Sequence, residues 1–140
     1  MKRTGMRFGI VVLAMGVLTC SLALLTQAPA NAAGPKEIKI GNILPLSGPS
    51  ASVGLQNKQA IELATEKINA AGGIKSLGGA KLVNIFTDSK GDPNVGVTAA
   101  EQLINTEKVS LISGAWNSAV TYPSTQVAER YQVPYVVPVS

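Results

Sequence analysis

Four short apolar runs, separated by three segments of helical periodicity, constrain this chain more than any other feature. Glu37–Ile43 carries Ile38, Ile40 and Ile43. Lys81–Thr87, Lys108–Ser113 and Pro134–Val139 are the other three runs. Between them lie Gln56–Ala71, a segment opening at Asp92-Pro93, and one running from Thr121 or Pro123 to Tyr131. Strands this apolar, joined by helices, predict an α/β fold: an open parallel sheet with helices on both faces. Right-handed crossovers then give the strand order 2-1-3-4.

The helical segments carry their own punctuation. In the first, Ala60, Ile61, Ala64 and Ile68 fall on one face, and Lys58, Glu62, Glu66 and Lys67 lie elsewhere. Gly72-Gly73 ends it by accepting left-handed backbone angles. In the second, Asp92 is the N-cap and Pro93 the first helical residue. Ala99, Ala100, Leu103 and Ile104 form its buried face.

With this order the sheet reverses direction of growth between strands one and three. Ligands of open α/β sheets bind at such a point, outside the carboxyl ends of the strands. The loops there are Leu44–Gly54 and Ser113–Thr121. Neither carries a histidine, a cysteine or a nucleophile–base pair; together they are rich in Ser and Gly, with Asn117, Thr121 and one Trp in the second. These residues line a place that holds a small molecule rather than one that cuts it.

Trp116, Asn117, Ser118 and Thr121 are the candidate ligand-binding residues. Ser118 and Thr121 sit where the third helix begins, and free N–H groups and the helix dipole favour an anion there. Ser and Thr are also preferred caps, so a purely structural role fits the same residues. Trp116 offers a flat apolar ring with one N–H donor, suited to packing over a ligand. Ser47-Gly48-Pro49-Ser50 is a turn by composition. Ser50, Ala51 and Ser52 border the cleft, whereas Ser47 reads as part of the turn itself.

Asp88 and Asp92 superficially resemble a carboxylate pair, but Ser89-Lys90-Gly91 between them is a turn and Asp92 is explained as a cap. No catalytic or metal-ligating set is expected. No dinucleotide fingerprint follows the first strand, and no cofactor is expected.

The amino-terminal segment is of another kind. Lys2, Arg3 and Arg7 precede the apolar run Phe8–Leu25, and the small residues of Gln27–Ala33 follow. This is the layout of a secretory signal peptide, with residues 1–32 removed by cleavage after Ala32. A retained membrane anchor is the alternative, the run being at the lower edge of spanning length. A lipid-modified Cys20 fits poorly: Thr19 is bulky for the preceding position, and apolar Ser21–Leu25 follows where a polar tether is expected. Without the segment no cysteine remains, so no disulfide is expected. The charge argument changes as well. The whole chain is +4, with 12 basic and 8 acidic residues; without Lys2, Arg3 and Arg7 there are 9 basic and 8 acidic, a net of +1. No basic run remains, and a nucleic-acid partner is not expected.

The ordered residues of the rest resemble a family. Ile38-Lys39-Ile40-Gly41, Leu46-Ser47-Gly48-Pro49 and Gly54 look like the opening of type I periplasmic binding proteins of the leucine/isoleucine/valine-binding kind. The likeness continues through Ile68-Asn69-Ala70-Ala71-Gly72-Gly73-Ile74, Asp88, Asp92-Pro93, Ser118, Thr121 and Val133-Pro134, covering essentially all of Lys36–Ser140. The resemblance implies an extracytoplasmic, two-lobed receptor that delivers substrate to a membrane ABC permease. Residues 33–140 would supply the first part of its N-terminal lobe, and the chain is read as truncated, without the second lobe. In relatives that bind amino acids the loop after strand three helps hold the α-carboxylate; Asn117, Ser118 and Thr121 match it here. Relatives that bind aliphatic amino acids often place an aromatic before the glycine of the first loop, where this chain has Val53. Trp116 has no clear counterpart. A branched-chain amino acid is therefore the leading ligand, with other small carboxylates or amides, aromatic acids included, still open. Two other functions stay open: a membrane-retained sensing ectodomain of the same fold, and an exported α/β enzyme with its catalytic residues beyond Ser140.

Overall fold

The computed structural model describes residues 34 and 36–138. Its elements lie in the compact unit Ala33–Ser140. The apolar segment read as a signal peptide, Cys20 included, falls outside the described residues.

The alternation is realised as β1 (Glu37–Leu44), α1 (Ala51–Ala70), β2 (Lys81–Asp88), α2 (Pro93–Asn105), β3 (Leu111–Gly114), α3 (Ser118–Arg130) and β4 (Tyr135–Val136). A short 3-10 turn, Lys75–Leu77, lies between α1 and β2. The strands form one parallel sheet in the order β2-β1-β3-β4, as the crossover rule requires.

Side chains alternate across the sheet, so the register sorts them into two faces. Gly41 pairs with Ile85 and Ile112. They face α2, and Leu103 packs so closely on Gly41 that an added Cβ would stand 2.8 Å from its Cδ1. With α3 this face holds the core: Ile43, Ala100, Leu103, Ile112 and Val120 are fully buried, and Ala99, Val127 and Ala128 nearly so.

The opposite face carries α1, and its docking is polar. Asn42 Nδ2 donates to Asn84 Oδ1 at 3.1 Å, and Asn84 Nδ2 donates to Thr65 Oγ1 at 2.7 Å. Asn69 accepts from the Leu82 N–H at 2.8 Å and donates to the Leu82 carbonyl at 2.9 Å. The Lys58 ammonium lies 5.3 Å from the Phe86 ring centre, within cation–π range. Residues 58, 61, 65 and 69 therefore face the sheet. The stripe expected from hydrophobicity alone was 60, 61, 64 and 68. Only Ile61 belongs to both; Ala60, Ala64 and Ile68 are exposed.

Two helix starts differ from expectation. α1 begins at Ala51 rather than Gln56, because the turn closes earlier: the Gly48 carbonyl accepts from Ala51 N–H and the Ser50 carbonyl from Val53 and Gly54. Gly54 then lies against the Pro45 carbonyl, where an added Cβ would overlap the oxygen. The β1–α1 connection thus shrinks to residues 45–50. α3 begins at Ser118, ahead of Thr121 and Pro123, and Pro123 sits inside it. A proline there removes one hydrogen bond, to the carbonyl of the exposed Ala119. The Asn117 cap and the burial of Val120, Thr121, Ser124 and Val127 outweigh that loss.

Two other limits moved. β3 starts at Leu111 because Lys108 adopts a φ of 56°, which no strand accommodates. β4 is shorter than Pro134–Val139. The caps of α2 and the end of α1 follow expectation: Asp92 accepts from Asn94 and Val95 N–H at 2.8 and 3.1 Å, and Gly73 N–H donates to the Ile68 carbonyl.

Candidate functional site

β1 and β3 are adjacent and parallel, with Ile43 opposite Gly114. Their carboxyl ends, and the two loops that leave them, therefore lie side by side. Gly114 allows the approach: its φ is 144°, and a Cβ there would overlap the Ile43 carbonyl oxygen. The strand ends, α1 and Trp116 enclose a cavity of about 190 Å³, lined by Leu44, Asn57, Ala60, Ile61, Ser113, Gly114, Trp116 and Pro138. Complete small-molecule sites occupy roughly 300–1,000 Å³, so this volume suits one wall of a site. Its lining is mainly apolar, with Asn57 and Ser113 as polar points.

The four candidate residues play different parts. Asn117, not Ser118, caps α3: its side chain accepts from the Ala119 N–H at 2.9 Å, and its carbonyl accepts from Val120 and Thr121 N–H at 2.9 and 2.8 Å. Thr121 is buried, and its hydroxyl is engaged twice. It donates to the Asn117 carbonyl at 3.0 Å and accepts from the Ala115 N–H at 3.2 Å. Thr121 thus ties the loop to the helix. Ser118 occupies the first helical position, exposed, and makes no hydrogen bond through its N–H or hydroxyl among the described residues. Trp116 is 38% exposed and holds a φ of 75°. For a non-glycine residue that conformation costs about 1–2 kcal/mol, and it is kept by the bonds on either side: Asn117 N–H to the Ala115 carbonyl at 3.0 Å, and Ala115 N–H to Thr121.

The structure thus brings Trp116, Asn117 and Ser118 together as exposed groups and withdraws the Thr121 hydroxyl into the loop. The free donors at the end of α3 lie at the positive end of a 13-residue helix, where an anion is favoured.

Sequence reasoning passed over the first loop's organiser. Asp88, at the end of β2, accepts through Oδ1 from the N–H groups of Leu46, Ser47 and Lys90 at 2.8, 3.2 and 2.8 Å. Its Oδ2 accepts from the Ser47 hydroxyl at 2.6 Å. Partial burial opposes its charge, but the Ser47 hydroxyl and the three N–H groups together hold its carboxyl below the ordinary aspartate value. The signal was present in the sequence as the pairing of an acid with a Ser-Gly-Pro turn, but the pairing is 41 residues long and invisible to local pattern.

Among the described residues no group of three or more His, Cys, Asp or Glu side chains is placed to hold a metal ion. The described residues thus form an open parallel sheet with a cavity at its switch point and, at the start of α3, Ser118 donors that have no partner among those residues. A family model for periplasmic binding proteins matches residues 37–140, and the chain belongs to that family.

Relatives agree. The chain is 36% identical over 118 residues to Leu/Ile/Val-binding protein homolog 7 of Brucella suis biovar 1, covering 84% of this chain and 28% of that protein. It is 37% identical over 121 residues to homolog 3 of Brucella melitensis biotype 1, covering 86% and 32%. Among solved structures it is similar to the branched-chain amino acid transporter substrate-binding protein LivJ of Streptococcus pneumoniae in complex with isoleucine, at 31% identity and a TM-score of 0.69, covering 74% of this chain and 29% of that one. It is also similar to a solute-binding protein of an ABC transporter from Rhodopseudomonas palustris BisB5 in complex with 3,4-dihydroxybenzoic acid, at 28% identity and a TM-score of 0.66, covering 74% and 27%. The chain spans less than a third of the length of each of these proteins.

Proposed function

We propose that this chain forms the leading part of the N-terminal lobe of an extracytoplasmic solute receptor that hands a small carboxylate to a membrane ABC permease. The observation that carries this reading is the Ser118 N–H and hydroxyl at the start of α3, which have no hydrogen-bond partner among the described residues, beside the exposed Trp116. A carboxylate oxygen set there accepts two charge-assisted hydrogen bonds and meets the positive end of the helix. Asn117 orients the turn, Thr121 fixes it from behind, and the apolar part of the ligand lies toward Trp116. Residues 1–32 act as the export signal, and the second lobe closes over the ligand by hinge motion.

A branched-chain amino acid is the leading ligand, supported by the relative that holds isoleucine. An aromatic carboxylate is the second reading. Trp116 favours it, and a relative that holds 3,4-dihydroxybenzoic acid supports it. A thermal-shift panel of aliphatic, polar and aromatic amino acids, aromatic acids and small amides on the complete mature protein tests both. A ligand at 100 times its Kd adds about 2.7 kcal/mol of stability. A shift with leucine, isoleucine or valine supports the first ligand class and a shift with benzoates the second. No shift with any of them contradicts the receptor reading.

A further inference from the structure

We infer that Asp88 is a positioning residue for the ligand site: it sets the β1–α1 turn and, through it, the α1 wall of the crevice. The inference rests on the receptor reading above and extends it to a residue that does not touch the ligand.

The turn of residues 45–50 has few internal bonds with which to hold its shape. Within it, Leu46 N–H donates to the Leu44 carbonyl and Ala51 N–H to the Gly48 carbonyl. The Ser50 carbonyl accepts from Val53 and Gly54 of α1, and the start of the turn is held from the neighbouring β2–α2 turn. Asp88 takes the Leu46 N–H, the Ser47 N–H and the Ser47 hydroxyl. Ser89 N–H donates to the Leu44 carbonyl at 2.8 Å. One carboxylate therefore holds both turns, since it also accepts from Lys90 N–H.

Geometry carries the effect to the crevice. Leu44, Asn57 and Ile61 form one side of the cavity and Trp116 another. α1 enters directly from the turn, and Gly54 in its first turn rests on the Pro45 carbonyl. Loss of the Asp88 bonds frees residues 46 and 47, and with them the angle at which Asn57 and Ile61 face Trp116. Charge-assisted bonds from three N–H groups and a hydroxyl make a carboxylate the strongest acceptor for this task.

Few other charges bear on Asp88. The β1–α1 turn has none. In the β2–α2 turn there are Lys90 and Asp92, the latter committed to the α2 cap. The first two turns of α2 present Asn94, Val95 and Thr98, which line an open groove with Asp88. The first charge along α1 after the turn is Lys58, paired with Glu62 at 3.1 Å. The groove gives water access to the carboxylate, so protonation follows bulk pH.

The test uses the complete mature protein and two probes, L-isoleucine and benzoate. Kd is measured by calorimetry between pH 3 and pH 7 for wild type, Asp88→Asn, Ser47→Ala and Leu103→Ala, and amide exchange is followed at Leu46 and Ser47. The inference expects Asp88→Asn to weaken binding at pH 7 by about tenfold, a change of the size that one charged hydrogen bond supplies. With L-isoleucine, which stays zwitterionic over most of this range, wild-type affinity falls at the acid end while that of Asp88→Asn stays flat; benzoate, which itself takes up a proton in acid, is compared between the two proteins at pH 7 only. Exchange at Leu46 and Ser47 is faster in Asp88→Asn than in wild type. Ser47→Ala gives a smaller loss of affinity. Leu103→Ala lowers stability with Kd unchanged, which separates positioning from general loosening of the lobe. Wild-type protein that binds neither probe overturns the receptor reading and the inference with it. Wild-type binding that Asp88→Asn leaves unchanged at every pH overturns the inference alone.

Discussion

The Thr121 hydroxyl accepts the Ala115 N–H at 3.2 Å from one full turn inside α3, so the helix holds the loop that precedes it. Thr121→Val keeps the shape and removes the acceptor, leaving a buried N–H unpaired. The expected cost is about 1–3 kcal/mol of lobe stability, together with weaker ligand binding as Trp116 loses its fixed position. Thr121→Ser restores both. Urea unfolding and calorimetry on the two variants check this.

Trp116→Ala relieves the cost of a bulky side chain in left-handed backbone only slightly, because the conformation is set by the flanking bonds. Its effect is on recognition. The substitution weakens aromatic or branched apolar ligands more than alanine or glycine. A ligand series on the variant reads the difference, and a uniform loss across the series counts against packing of the ring on the ligand.

Asp88 makes acid stability a local property. Its carboxyl titrates below the ordinary value in the folded chain. It therefore contributes stability that is present above the unfolded-state pKa of about 3.9 and lost as pH falls through the lower folded value. Asp88→Asn removes that part of the acid transition. Denaturant midpoints of wild type and variant between pH 5 and pH 2.5 check the sign.

Tyr135 lies over the α2–α3 core. Burial pushes its phenol up to about 12. The neighbouring Ser124 hydroxyl donates to the Val120 carbonyl at 2.7 Å, and Tyr135 Oη has no hydrogen-bond partner among the described residues. Tyr135→Phe removes a buried unpaired group and is expected to be neutral or stabilising by up to about 1 kcal/mol, measured by urea unfolding at pH 7. A loss of more than that reveals a partner for the hydroxyl.

Much of the fold was legible because it depends on local rules. Asp92-Pro93 located α2, Gly72-Gly73 ended α1, and the crossover rule ordered the strands. Where reading failed, a distant contact outweighed a local preference. Pro123 suggested a helix start, yet the Asn117 cap and the burial of Val120 and Thr121 carry α3 back to Ser118. Hydrophobicity placed Ala60, Ala64 and Ile68 toward the sheet, but Thr65 and Asn69 are bound there by Asn84 and Leu82, which rotates α1 by about one residue position. At the site, residue type identified the loop but not the division of labour within it. Asn117, Ser118 and Thr121 can all cap a helix, and only the bonds assign the cap to Asn117 and the staple to Thr121.

The central claim is that a ligand carboxylate sits on the free donors of Ser118. Calorimetry of the complete mature protein against Ser118→Ala, with the ligand that gives the largest thermal shift, tests it most directly. Ser118→Ala is expected to weaken binding by about 1–3 kcal/mol, with stability of the unliganded protein unchanged because Asn117 holds the cap. Equal affinity in the two proteins would contradict it and leave Ser118 as an exposed residue in the first turn of α3.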